Sequence, residues 1–156
     1  MPTLNVPSPV GPLTLVEQDG ALIRLGWGDV PDDFPDSTPN PLLVETARQL
    51  AAYFAGALTE FNIPLSPPGT EYQKRVWWAM NEIPYGGTWT YGELAKRVDT
   101  VPRAVGGACG ANPIPVILPC HRVLAANGKS GGYSGKGGLM TKTALLDIEN
   151  RTTRLL

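Results

Sequence analysis

Histidine and cysteine are nearly absent: the 156 residues hold one histidine, His121, and two cysteines, Cys109 and Cys120. Two cysteines cannot build the disulfide framework of a small secreted domain, and one histidine with two cysteines falls short of a four-ligand zinc site. No metal and no cofactor are expected. Long apolar runs are missing too, since no stretch approaches the roughly 18 to 20 uninterrupted apolar residues of a membrane span. The opening MPTLNVPSPVGP has neither the charged nor the apolar region of a secretory leader. These absences predict an intracellular, soluble chain without a membrane partner, long enough to bury a core as one ordinary domain or two small ones.

Net charge is also small, at -1, but it is unevenly placed. Residues 1–66 carry eight acids and two bases, and residues 67–156 carry six acids and eleven bases. A basic second half is what phosphate binding requires, because each neutralised phosphate releases counterions. An unevenly charged solvated surface would give the same balance. The stretch PLSPPGT coincides with the charge change and reads as a linker. Two domains follow, 1–66 and 67–156.

In the first half, apolar and polar residues alternate over 13–16 and 22–25 around Asp19-Gly20, which predicts a hairpin. Asn40 and Pro41 then suit the start of a helix. Leu43, Ala47, Leu50, Ala51 and Phe54 would form its inner face before Gly56. In the second half Thr70 with Gln73 is a capping box that opens a helix to about Asn81, with Val76, Trp77 and Met80 inward. Thr90 with Glu93 opens another, closed by DTVP before RAVGGACGAN. Helix, turn, helix in a basic context outlines a helix-turn-helix.

The would-be recognition segment, between Arg103 and Asn112, has almost no side chain able to read base edges, as a major-groove reader would need. Each helical glycine costs on the order of 1 kcal/mol relative to alanine. Either the backbone approaches a narrow minor groove, with Arg103 projecting into the stack, or it packs tightly inside the protein.

The segment ILPCHRVL, 117–124, joins Cys120 to the only histidine. A cysteine attacks as thiolate, and an unperturbed thiol of pKa near 8.5 is only about 3% ionised at pH 7. His121 is the available base, although successive side chains of an extended chain diverge. A turn or a bridging water is therefore required; the alternative is a small buried thiol beside a satisfied core histidine. Downstream, GGYSGKGG supplies a loop with Tyr133 and Ser134 that can close over a ligand.

The run RAVGGACGANPIPVILPCHRVL, then GGYSGKGGL and KTALLDIE, closely resembles the O(6)-alkylguanine-DNA alkyltransferases, or methylated-DNA-protein-cysteine methyltransferases. The resemblance covers 70–149 and implies an α+β fold in two domains. A small N-terminal RNase H-like α/β unit would precede a mainly helical winged helix-turn-helix domain that binds DNA and carries the active site. It implies repair of duplex DNA by base flipping and irreversible, stoichiometric transfer of the alkyl group from O(6)-alkylguanine, and from O(4)-alkylthymine, to Cys120. His121 would act through a water as the base of Cys120, and Glu149 would orient His121. Asn112 would hold the turn between recognition helix and active site, and Tyr91 would press on the target phosphate and donate to the base. Arg103 would replace the extruded nucleotide, with Ala104, Gly107, Ala108 and Arg122 as further DNA or substrate contacts. The carbonyls of Cys120 and Val123 would accept from the guanine amine. Ser134 would favour charge on the guanine oxygen, Tyr133 would close the pocket and Lys142 would add a positive field. The expected partner is double-stranded DNA entered from the minor groove by a monomer, without metal or cofactor.

The resemblance has departures and rivals. Larger relatives bind zinc through N-terminal ligands that this chain lacks, and Cys109 reads as packing. Alkyltransferase-like proteins that bind without reacting have another residue at the cysteine position, whereas Cys120 is present. A helix-turn-helix regulator fits the small residues of 104–111 poorly. A cysteine hydrolase normally draws nucleophile and base from distant positions.

Overall fold

A computed structural model describes residues 2–28, 40–126 and 138–155. It divides into two compact units, Met1–Pro68 and Gly69–Leu156. Among the described residues no helix is long and apolar enough to cross a membrane.

In the first unit β1 (Thr3–Val6), β2 (Leu13–Gln18) and β3 (Ala21–Trp27) form an antiparallel sheet in that order. The β2–β3 turn needs positive φ at both central residues, and Asp19 (52°) and Gly20 (82°) supply it. Glu17 bonds the Gly20 amide at 2.7 Å, closing the turn beside a register shift at Val16/Glu17. Helix α1 (Pro41–Phe54) starts where Asn40 Oδ1 accepts from the Leu43 amide at 2.9 Å, a cap contributing about 1 kcal/mol.

The inner face of α1 differs from the expected one: Leu43, Thr46, Gln49, Leu50 and Tyr53 are buried, while Ala51 is exposed and Ala47 and Phe54 are half-buried. Polar residues can occupy this face because each is satisfied there. Thr46 donates to the Leu42 carbonyl at 2.8 Å, and Gln49 exchanges two hydrogen bonds with the backbone of Asn62. Tyr53 then packs on Phe61 with ring centroids 5.4 Å apart.

In the second unit α2 (Glu71–Met80) and α3 (Tyr91–Arg97) both begin with complete capping boxes, at Thr70/Gln73 and Thr90/Glu93. Asp99, with φ 57°, turns the chain after α3 into α4 (Pro102–Gly110). Helices α2 and α4 are joined at depth by Trp77, whose indole donates to the Ala108 carbonyl at 2.8 Å. After α4 the chain runs through a buried loop into a short 3-10 turn, Cys120–Arg122. It then enters β5 (Val123–Leu124), which pairs in parallel with β4 (Trp89–Thr90). Helix α5 (Leu139–Leu155) completes the unit. The two-residue ladder of β4 and β5 and the strand β1 lie outside the sequence-based expectations.

Candidate active site

Cys120, His121 and Arg122 occupy consecutive positions of the 3-10 turn, and all three are buried. The pair is therefore not extended but sits on a turn, one of the two arrangements that the adjacent CH pair required. Pro119 precedes the turn, and the Cys120 amide donates to the Leu118 carbonyl at 2.9 Å.

Asn112 sets the path into it. Its side-chain amide donates to the Leu118 carbonyl at 2.8 Å and its Oδ1 accepts from the Ile114 amide at 3.0 Å, spanning the loop that follows α4. Inside that loop Val116 is buried at φ 74°, a left-handed conformation that a β-branched residue adopts only under constraint from its surroundings.

His121 has no solvent exposure, and its Nε2 lies 2.6 Å from Glu149 Oε2. An imidazole facing a carboxylate carries its proton on that nitrogen. Nδ1 is left as the acceptor, and it is buried with no hydrogen-bond partner among the described residues. Burial, opposed by Glu149 and assisted by Arg122 and Lys142, holds His121 below the usual histidine range, so the ring is neutral at pH 7. Burial would push Glu149 up, but hydrogen bonds and charge from His121 and Arg122 overcome it and hold the carboxyl at about 2.

Helix α5 delivers a second buried charge seven residues earlier, on the same helical face. Lys142 is wholly buried and donates to the Val123 carbonyl at 2.7 Å, with Nζ 5.9 Å from the Tyr91 ring centroid. Burial lowers its pKa, and the thiols Cys120 and Cys109 oppose that. The Cys120 carbonyl accepts from the Val123 amide, and the Val123 carbonyl accepts from Lys142. Tyr91, half-buried at the start of α3, has its phenol raised by burial and then by the two thiols. It is a neutral donor.

Burial, then the neighbouring Cys120, pushes Cys109 up to about 12, against the pull of Lys142. It lies 3.7 Å from Met80 Sδ and is packed as a protonated thiol. Among the described residues no group of three or more His, Cys, Asp and Glu side chains converges as a metal site requires.

Two assignments are corrected. Arg122 does not face outward: it is 7% exposed, donating from Nε to Glu149 Oε1 at 2.8 Å and from Nη2 to Oε2 at 3.2 Å, with Nη1 on the Ile83 carbonyl at 2.9 Å. Its charge is satisfied inside the site. Ala108 likewise packs inward against α2, and its carbonyl holds Trp77.

The outer face of α4 presents Arg103, Gly107, Gly110 and Ala111, with Ala104 half-buried. A Cβ built on Gly106, Gly107 or Gly110 would meet nothing within 4 Å. Internal packing therefore does not require these glycines. Tyr133 and Ser134 lie outside the described residues, as does the 29–39 stretch.

Sequence reasoning missed the 83–86 segment. Tyr85 stacks under the Arg122 guanidinium at 5.6 Å, and the Gly86 amide reaches Glu149 Oε1 at 3.4 Å. Gly86 has φ 81°, and a Cβ there would collide with Thr153 of α5. A glycine after an IPY tripeptide was the available signal.

The model of the 6-O-methylguanine DNA methyltransferase DNA binding domain matches residues 71–151, and that of the ribonuclease-like domain matches 5–67. A methylated-DNA--protein-cysteine methyltransferase of Methanosarcina acetivorans is 45% identical over 150 residues, covering 91% of this chain and 94% of its own. The one from Mycobacterium tuberculosis is 46% identical over 152 residues, covering 93% and 90%. Among solved structures, Mycobacterium tuberculosis OGT in complex with DNA superposes with a TM-score of 0.86 at 44% identity, over 97% of this chain and 94% of that one. An O6-methylguanine DNA methyltransferase from Methanococcus jannaschii gives 0.70 at 30% identity, over 94% and 93%.

Proposed function

The chain belongs to the 6-O-methylguanine DNA methyltransferase family, and from that premise we propose that it repairs alkylated DNA by moving the alkyl group of O(6)-alkylguanine onto its own Cys120, once per molecule. The observation that carries this reading is the His121 ring, held at Nε2 by Glu149 at 2.6 Å while the buried Nδ1 has no partner among the described residues. A water between Nδ1 and Cys120 Sγ takes the thiol proton to the imidazole. The thiolate attacks the alkyl carbon in line, a sulfur–carbon bond forms, the carbon–oxygen bond breaks, and its electron pair passes to the guanine oxygen. Charge gathering on the leaving base is met by the neutral Tyr91 donor and the buried Lys142 ammonium. The thioether has no hydrolysable bond, so the protein is consumed. The same displacement applies to O(4)-alkylthymine, whose leaving atom is also a ring-borne oxygen.

The partner is duplex DNA. With open space at Gly106, Gly107 and Gly110, the glycines of α4 serve an external surface, and a narrow minor groove entered by the helix backbone fits them. Arg103, exposed at the second position of α4, is the side chain that fills the gap left by a flipped nucleotide. One chain carries the whole relay, so it acts as a monomer.

Gly107→Ala is expected to raise helix stability by about 1 kcal/mol while weakening duplex binding, because the added methyl stands between backbone and groove. Thermal melting and a binding titration check the two signs; unchanged affinity would assign the glycines no role at DNA. Arg103→Ala should slow transfer from duplex by at least about tenfold and leave transfer from the free base, O(6)-benzylguanine, unchanged, since only the duplex requires unstacking of a few kcal/mol. Equal slowing on both substrates would remove Arg103 from extrusion.

The reading as a whole is tested on the DNA. A duplex with one O(6)-methylguanine, incubated with excess protein and digested to nucleosides, should yield guanine at the lesion site. Recovery of intact O(6)-methylguanine, or of an abasic site, would contradict it.

A further inference from the structure

We propose that Arg122 is a positioning residue of the transfer reaction: its two-pronged grip on Glu149 keeps that carboxylate aimed at His121 Nε2, so that the proton leaving Cys120 stops at Nδ1. The proposal rests on the reading of Cys120 as alkyl acceptor. Arg122 spends three donors inside the protein, two on Glu149 and one on the Ile83 carbonyl, and its flat face lies over Tyr85. Such a guanidinium is tied on both prongs and over one face, and its planar fork matches the carboxylate it holds.

The consequence for the relay follows from the oxygen assignments. Glu149 Oε1 is held by Arg122 Nε, while Oε2 is shared between His121 Nε2 at 2.6 Å and Arg122 Nη2 at 3.2 Å. The carboxylate therefore faces a permanent cation whether the imidazole is neutral or charged. Without that cation the carboxylate would lean on the imidazole for its positive charge, and the Nε2 proton could cross to it. Arg122 also acts on the ring directly. Among the described residues, the charged and titratable groups around His121 are Glu149 and Lys142 from α5 and Cys120 and Arg122 from its own turn, with Cys109 and Tyr91 beyond, beside Cys120. Burial and the two cations disfavour imidazolium, and Glu149 alone among them strongly favours it. Arg122 thus keeps the base neutral before reaction and its orienting partner anionic during it.

His121 is the only histidine, so its ring can be followed by NMR in protein labelled with 15N-histidine, without assignment. In the unaltered protein the spectrum should report a neutral ring protonated at Nε2 at pH 7. Arg122→Met should raise the midpoint of ring protonation by about one unit or more, and the acid limb of the transfer rate should move up with it. Arg122→Lys, which keeps a cation, should return both toward the original values. A Met variant that melts earlier but titrates unchanged would make Arg122 merely structural and overturn the proposal. Should the Met variant not fold, Arg122→Lys decides: its midpoint must stay within about 0.3 unit with the Nε2 proton retained, and a larger rise or a changed tautomer overturns the proposal. The titration needs no DNA, so failure of the unaltered protein to methylate Cys120 would count against the function and leave the Arg122 measurement standing.

Discussion

Cys120→Ser is expected to abolish alkyl transfer and to leave binding of lesion-containing duplex within about threefold, or roughly 0.7 kcal/mol. The loss follows from ionisation. A thiol near 8.5 supplies about 3% thiolate at pH 7 before any help from His121, and a serine hydroxyl ionises far above that range. The exchange of sulfur for oxygen is nearly isosteric at a residue that is 7% exposed, and the turn, held by the Leu118 and Pro119 carbonyls, does not depend on sulfur. In the proposed reading binding draws on α4, which the substitution does not touch. Electrophoretic or fluorescence titration with an O(6)-methylguanine duplex measures the first quantity and lesion loss the second. Residual transfer by the serine variant would move the nucleophile elsewhere.

The second large effect belongs to Glu149→Gln. Glutamine can still accept from Arg122, but the amide nitrogen it presents to His121 is a donor, so the ring must reverse its tautomer and place a proton on Nδ1. A base that already carries its proton cannot take one from Cys120. Comparable loss of an orienting carboxylate elsewhere lowers catalysis about 10⁴-fold, and a fall of about 10²-fold to 10⁴-fold in the transfer rate is expected here. Stability should fall as well, by about 3 kcal/mol, because a buried guanidinium loses its anion.

The pH dependence of that stability has a definite sign. The Glu149 carboxyl is depressed in the folded state from its ordinary 4.5 to about 2. Its contribution is therefore complete above pH 4.5 and disappears as the pH falls toward 2. Denaturation curves across that window should show a steeper acid loss for the unaltered protein than for Glu149→Gln. Parallel curves would mean that the carboxyl is not depressed in the folded protein.

The parts of this molecule that the sequence announced are those whose hydrogen bonds close within a few residues. Thr70 with Gln73, Thr90 with Glu93 and Asn40 with Leu43 each satisfy a helix end locally, and Asp19-Gly20 closes its own hairpin. What stayed hidden depends on partners far along the chain. Gln49 turns inward on α1 because the backbone of Asn62, beyond the end of the helix, receives it, where an apolar-periodicity count reads an outer face. Ala108 faces α2 because Trp77 needs its carbonyl.

The candidate site divides the same way. Cys120 and His121 were visible as neighbours, and family resemblance alone suggested Glu149, 28 residues beyond the histidine. Composition could not say that Arg122 is turned in toward the same carboxylate. A cation next to a nucleophile reads as a DNA contact until its three internal acceptors are known.

The most direct test is the location and number of methyl groups on the protein after reaction with excess O(6)-methylguanine duplex. Cleavage at arginine places both cysteines on the single peptide 104–122, so fragmentation must separate Cys109 from Cys120. The account predicts one methyl per molecule, on Cys120, with lesion repair stopping at one equivalent. A methyl on Cys109, an unmodified Cys120, or repair continuing beyond one equivalent would contradict it.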